Sequence, residues 1–318
     1  MSDATRAISQ LAYLEIFKGQ SKTAIDLKGW VANQKYLVLA GMTSTSFTLT
    51  THDTDGLRAA LANDCNRMAM AAIESISGVQ ADGMFPKSSA WATIRSYYAA
   101  FFAAHSLLRV FGYSYSQLEF DHTKKIFEMA KALNVHGIHT KIESGFYSIQ
   151  IDKTFTTLVF EKKNDSHKDM WKGFLILIDS LIANIGATAA ISAHRIKAQD
   201  LLMETRRGVT KNGSRAMGNW LSELRNQVNY QHSHGAWYPY EVGAINRRIV
   251  ESATSSWKKP TDTFSVASKS KEMELFFEST SLLLSFLREM IAVCTEKSGD
   301  KGSVFRNGAL RMMKTAGV

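Results

Sequence analysis

The chain has 318 residues, 45% hydrophobic and 21% charged, which fits one large globular domain or two ordinary ones with apolar material for a sizeable core. Its two cysteines, Cys65 and Cys294, exclude a disulfide framework or a cysteine zinc site; both fall in apolar helical patterns and read as buried thiols of a reducing cytoplasm. The net charge of +9 attracts polyanions such as RNA, DNA or anionic lipid, and it fits a mildly basic solvated surface equally well.

Only three prolines interrupt the chain, Pro86, Pro239 and Pro260, and with 13 methionines this predicts a mainly helical fold. The N-terminus has no apolar core with a small-residue cleavage site, so no signal peptide is expected. Residues 1–30 predict one or two amphipathic helices with Leu11, Leu14, Ile16 and Phe17 as the apolar face. Residues 35–40 and 46–50 are short and β-prone, and residues 41–45 turn the chain between them, which predicts a β-hairpin. A long helix follows Asp55, from Leu57 to about Ser77. Leu57, Leu61, Cys65, Met68, Ala72 and Ile76 recur there at spacings of three and four, and Gly78 and Gly83 end the pattern. Ser88 or Ser89 caps the next helix, residues 90–111, which is apolar around most of its circumference and belongs at the centre of a bundle. Residues 145–162 alternate like strands and predict a second hairpin.

Helices return from Met170 to Met203. The apolar run 174–193 contains Asp179 and Asn184 and reads as a core helix, because charge inside a membrane span is costly. Residues 204–218 carry Arg206, Arg207, Lys211 and Arg215 with glycine and predict a basic loop. Asn219 or Ser222 begins another helix. Pro260 precedes a last long helix, Lys271 to about Val293. A basic tail with Lys297, Lys301, Arg306, Arg311 and Lys314 closes the sequence.

The segment 221–232 holds the residue types that can cleave a phosphodiester. As a helix it advances about 100° per residue, so Leu221, Leu224 and Val228 form a core-facing stripe. Arg225, Asn229 and His232 fall at i, i+4 and i+7 on a neighbouring face. Arg225 and His232 are then separated by roughly 10 Å of rise, within reach of one phosphodiester once the side chains lean together. Histidine can take the 2′-hydroxyl proton of RNA near neutral pH. Arginine supplies a fixed cation for the charge on pentacoordinate phosphorus. Asn226 or Asn229 can orient the phosphate or fix the His232 ring. No carboxylate cluster argues for a metal, and no cofactor is implied. On spacing alone, a surface helix with an ordinary arginine and histidine explains the same residues.

The segment Arg225-Asn226-Gln227-Val228-Asn229-Tyr230-Gln231-His232 resembles the signature of the HEPN family (higher eukaryotes and prokaryotes nucleotide-binding). That signature is an arginine, four to six residues, then a histidine, often with asparagine directly after the arginine. The run Tyr97-Tyr98-Ala99-Ala100-Phe101-Phe102-Ala103-Ala104, with Leu107, Leu108 and Gly112, looks like the aromatic and alanine-rich second helix of HEPN bundles. The resemblance implies an up-and-down helical bundle over residues 57–293; the two expected β-hairpins, at 35–50 and 146–160, are insertions that depart from the basic four-helix bundle. An N-terminal unit, 1–56, precedes it, an insertion occupies 113–169, and the basic tail is 294–318. It further implies a metal-independent endoribonuclease or RNA-directed toxin, with Arg225, Asn226, Asn229 and His232 as the catalytic set. Homodimers with two motifs in one cleft, a protein regulator or antitoxin, and a role in antiviral defence or a toxin–antitoxin system are also implied. The alternative is a non-catalytic HEPN module that binds nucleotide, RNA or a partner protein. The arginine-to-histidine spacing is at the long end of the signature, so His234 competes with His232 for the histidine role.

Other residues read more simply. His105 belongs to the core of its helix. His136 and His139 are three apart but lack a third metal ligand and read as loop residues. Trp237, Tyr238 and Tyr240 can stack on RNA bases or pack the helix end, with packing favoured. Arg206, Arg207, Lys211 and Arg215 form a solvated loop or guide an RNA backbone. Tyr97 and Tyr98 read as core. No membrane association is expected, and the cytoplasm is the expected location.

Overall fold

The computed structural model describes residues 2–18, 25–81, 88–135, 141–231, 233–237, 250 and 255–318. The described chain is mainly helical with one five-stranded antiparallel sheet. Its helices are α1 (Asp3–Ile8), α2 (Leu27–Ala32), α3 (Thr54–Ala81), α4 (Ala90–Val110), α5 (Phe120–Ala132), α6 (Lys168–Asn184), α7 (Ser192–Thr210), α8 (Trp220–Gln231), α9 (Glu272–Ser298), α10 (Val304–Asn307) and α11 (Ala309–Thr315). The strands are β1 (Leu37–Val38), β2 (Ser46–Thr50), β3 (Tyr113–Leu118), β4 (Gly145–Ile151) and β5 (Thr157–Lys163).

Helix α4 lies at the centre, as its apolar circumference requires. It packs against α3, α6, α8, α9 and β3, so its own chain covers most of it. Every fourth residue, Tyr97, Phe101, His105 and Arg109, falls on one stripe of this helix. Helix α9 is buried over almost its whole length. The long helix α3 buries Leu57, Leu61, Cys65, Ala72 and Ile76, with Met68 half-buried. Gly78 does not end α3. The helix continues to Ala81, and the Gly78 carbonyl accepts a 2.5 Å hydrogen bond from Arg95 on α4. Gly83 lies outside the described residues.

Both expected hairpins are present, β1–β2 and β4–β5, but they are not separate insertions. β2 pairs with β5 in antiparallel register, and β3 adds to β4, giving the order β1-β2-β5-β4-β3. The joining force is a shared apolar face. Phe47 stacks on Phe160 at 4.6 Å between ring centroids, and Leu49, Tyr147, Ile149 and Leu158 are buried with them. A hairpin with one apolar face is marginal alone, and five strands over helices are not.

Two further expectations change. Residues 204–210 are helical, because α7 runs to Thr210 and the loop begins only at Lys211, where φ is +51°. The basic tail is folded. Phe305 stacks on Phe17 at 4.5 Å, and the Ala309 amide donates to Asn66 Oδ1 on α3 at 2.9 Å. Residues Lys168–Ala187 are long and apolar enough to cross a membrane, with a mean hydropathy of 1.4. In this fold α6 buries one stripe, including Met170, Trp171, Phe174 and Ile178, against its neighbours.

Candidate functional site

Helix α8 begins at Trp220, with the Asn219 side chain donating to Glu223 at 3.0 Å across the first turn. Leu221, Leu224 and Val228 are buried as the 3.6-residue period requires and fix the helix face. Arg225 lies one step round that face and is only 6% exposed. Its guanidinium carbon sits 5.0 Å from the Tyr97 ring centroid and 5.6 Å from that of Tyr98. The motif helix and the aromatic run of α4 therefore meet at these three side chains. Among the described residues Arg225 has no carboxylate partner, and its buried Nε has no hydrogen-bond partner. Tyr97 is buried but is more than core filling, since it also forms one wall around this cation.

Tyr97 links Arg225 to a residue that sequence reasoning missed. Its hydroxyl lies 2.8 Å from Nδ1 of His167 and accepts a 3.3 Å hydrogen bond from the Trp171 indole. His167 stands at the N-cap position of α6, without a side-chain capping bond, and is set by a short acidic turn. Asp165 Oδ1 accepts from the His167 and Lys168 amides at 2.8 and 2.7 Å. Asp169 Oδ2 accepts from the Asn164 and Asp165 amides at 2.9 and 3.0 Å. The His167 ring packs 4.6 Å from Phe101.

Burial holds the His167 pKa below its usual value, the Arg225 charge adds to this, and Asp165 opposes it. Burial raises the Tyr97 hydroxyl, against the opposing pull of Ser222, Trp171 and Arg225. Both groups are thus neutral at physiological pH, beside a guanidinium. His105, one turn beyond Phe101, is pushed well below its usual pKa by burial, then by Arg109 and His167. Its Nδ1 faces Arg109 Nη1 at 3.3 Å, which suits the core role expected of it.

The other motif residues are dispersed. Asn226 is exposed and Asn229 half-buried, and neither side chain has a hydrogen-bond partner among the described residues. His232 lies outside the described residues, as do Tyr238, Pro239, Tyr240, His136 and His139. The segments beside His232 are anchored. The Ala236 carbonyl accepts from the Ser89 and Ala90 amides at 2.9 and 3.2 Å, so it caps α4. The Trp237 indole donates to the Val228 carbonyl at 2.6 Å and meets Trp91 edge-on at 5.5 Å, which is packing. His234 has φ +63° and places Nε2 3.2 Å from Gln227 Oε1.

No family model, curated protein or solved structure matches this chain.

The four basic residues expected to guide RNA each face a carboxylate. Arg206 Nε is 2.7 Å from Asp179, Arg207 is 2.5 Å from Glu204, Lys211 pairs with Glu272, and Arg215 is 3.5 Å from Glu223. Lys211 and Arg215 line a cleft of about 200 Å³ beside α8, with Trp220, Glu223, Gln227 and Glu272. Two cations and two carboxylates balance there, so this cleft is a poorer anion site than the surroundings of Arg225. No group of three or more metal-ligating side chains occurs among the described residues.

His167 left a faint signal in the sequence. It stands in Asp165-Ser166-His167-Lys168-Asp169, a helix-start pattern two residues after an aspartate. Nothing local ties it to Tyr97, which is 70 residues earlier.

Proposed function

We propose that the chain is a metal-independent endoribonuclease or RNA-directed toxin that cleaves by attack of the RNA 2′-hydroxyl. One observation carries this reading: Arg225 is a nearly buried cation with no carboxylate partner among the described residues. Burying an unpaired charge costs several kcal/mol on the order-of-magnitude scale, so such a charge is more readily explained where an anion completes it. It projects from the segment that resembles the HEPN signature onto the aromatic run that supplies the second part of that resemblance.

In this reading Arg225 stabilises the phosphorane and His232 acts as general base or acid, with His234 as its rival. Asn226 and Asn229, whose side-chain amides have no partner among the described residues, orient the phosphate or the ring. Arg206, Arg207, Lys211 and Arg215 guide the RNA backbone by exchanging carboxylates for phosphates; the exchange is cheapest at the exposed Arg206–Asp179 pair, since surface ion pairs contribute only about 0–1 kcal/mol. A homodimer, a protein regulator and a defence role belong to the resemblance.

The burial of Arg225 favours a second reading, a non-catalytic module that binds nucleotide, RNA or a protein, because a side chain only 6% exposed leaves a reacting phosphate little access to the guanidinium. Product analysis separates the two. With EDTA present, the ribonuclease reading predicts RNA fragments ending in 2′,3′-cyclic phosphate and no cleavage when the scissile nucleotide is 2′-deoxy. Cleavage that needs added metal overturns the metal-free mechanism. Binding without any cleavage, over varied RNAs and with candidate partners, leaves only the second reading.

A further inference from the structure

The hydroxyl of Tyr97 can serve its neighbours in few ways. The Trp171 indole only donates, so it occupies a lone pair of Tyr97 Oη at 3.3 Å. The phenol keeps its proton, since burial raises its pKa. The shortest contact for that proton is His167 Nδ1 at 2.8 Å. An imidazole that accepts at Nδ1 carries its own proton on Nε2, and that nitrogen has no partner among the described residues. His167 and Arg225 lie against the same two rings, those of Tyr97 and Tyr98. The charged or titratable groups around His167 are Arg225 on α8, Tyr97 and His105 on α4, and Asp165 on its own turn.

We propose that Tyr97 holds His167 as its Nε2–H tautomer and that His167 donates this N–H to the phosphate group bound by Arg225. A side chain only 6% exposed, whose guanidinium has neither a carboxylate nor a carbonyl acceptor among the described residues, is the independent sign that an anion belongs there. A neutral donor suits the place, because a second full cation beside Arg225 would be repelled. The acidic turn at Asp165 and Asp169 holds the ring in position before any ligand arrives. That the phosphate is RNA's rests on the ribonuclease reading; that His167 and Arg225 share one anion does not.

The test uses the full chain and a fluorescent 2′-O-methyl RNA oligomer, which keeps its phosphates but has no free 2′-hydroxyl. His167→Phe should weaken its binding by roughly tenfold, the usual value of a hydrogen bond to a charged group. His167→Gln should recover most of that loss, because a glutamine amide can offer an N–H where Nε2–H stood. Nitrogen-15 shifts of the wild-type imidazole, which need no variant to fold, should show a protonated Nε2 and a bare Nδ1, and Tyr97→Phe should disturb that state. Unchanged binding in a folded His167→Phe, or a wild-type ring protonated at Nδ1, overturns the proposal. So does His167→Gln falling as far as His167→Phe, since an N–H donor at that place would then not restore binding. If Arg225→Met also binds the oligomer as wild type does, the phosphate reading of the site fails as well; if only Arg225→Met loses binding, that reading stands without His167.

Discussion

Arg109 and Arg225 are both buried and both lack a carboxylate within ion-pair distance among the described residues, yet their surroundings differ. Arg109 donates to the His105 carbonyl at 2.9 Å and the Tyr115 carbonyl at 3.3 Å, so it ties α4 to β3. Nε lacks a hydrogen-bond partner in both, but among the described residues Arg225 has the Tyr97 and Tyr98 faces around it and no carbonyl acceptor. A structural arginine and a ligand-binding one should therefore respond oppositely to the same change. Arg109→Met removes the donors of two buried carbonyls and should cost about 2 kcal/mol or more. Arg225→Met gives up a cation–π contact of about 1–2 kcal/mol but removes an unpaired buried charge, so stability should stay within about 1 kcal/mol of wild type or rise. Urea unfolding of both variants checks this. A loss at Arg225 as large as that at Arg109 would assign Arg225 to the scaffold.

Among the elements, the tie between the N-terminus and α9 is electrostatic and should titrate. Burial works to raise the Glu289 carboxyl, but hydrogen bonds from the Ser2 hydroxyl and amide, the Thr261 amide and the Thr5 hydroxyl outweigh it and hold the pKa below its ordinary 4.5. A folded pKa below the unfolded one means that Glu289 stabilises fully above the ordinary carboxylate range. That contribution is lost as pH falls through 4.5 and then through the lower folded value. Urea midpoints from pH 7 to pH 3 should fall more for wild type than for Glu289→Gln; parallel curves would mean the carboxylate carries no linked stability. The helices α3 and α8 are legible from a 3.6-residue apolar stripe, α4 from its long apolar run between a serine cap and Gly112, and α9 from the uninterrupted stretch after Pro260. β3 is not, since Tyr113-Ser114-Tyr115-Ser116-Gln117-Leu118 mixes buried serine with half-exposed tyrosine and shows no clean alternation. The end of α7 was misread because Arg206 and Arg207 suggested a solvated loop, whereas Asp179 and Glu204 let them sit on a helix surface.

At the scale of the whole molecule, the motif's own helix and its stripe Leu221, Leu224 and Val228 were readable from spacing, and so was the aromatic segment facing it. The partner His167 was not, because contact across 70 residues of chain is a product of the tertiary fold. The expected homodimer rests on the resemblance, since the apolar circumference of α4 is covered within the chain by α3, α6, α8, α9 and β3. Among the described residues, Trp91 on α4 and Tyr230 on α8 are exposed large rings near the motif that such a contact could use. Light scattering at micromolar concentration should give twice the chain mass, and a monomer with and without RNA would remove the shared-cleft arrangement.

The central claim is that Arg225 and His232 act on RNA. Its most direct test is single-turnover cleavage in EDTA by wild type, Arg225→Met and His232→Ala, each first shown to unfold cooperatively. The account predicts cleavage by wild type and a loss of roughly a hundredfold or more in each variant, as removal of a charge-stabilising or proton-transfer group brings. Equal rates for wild type and both folded variants would contradict it.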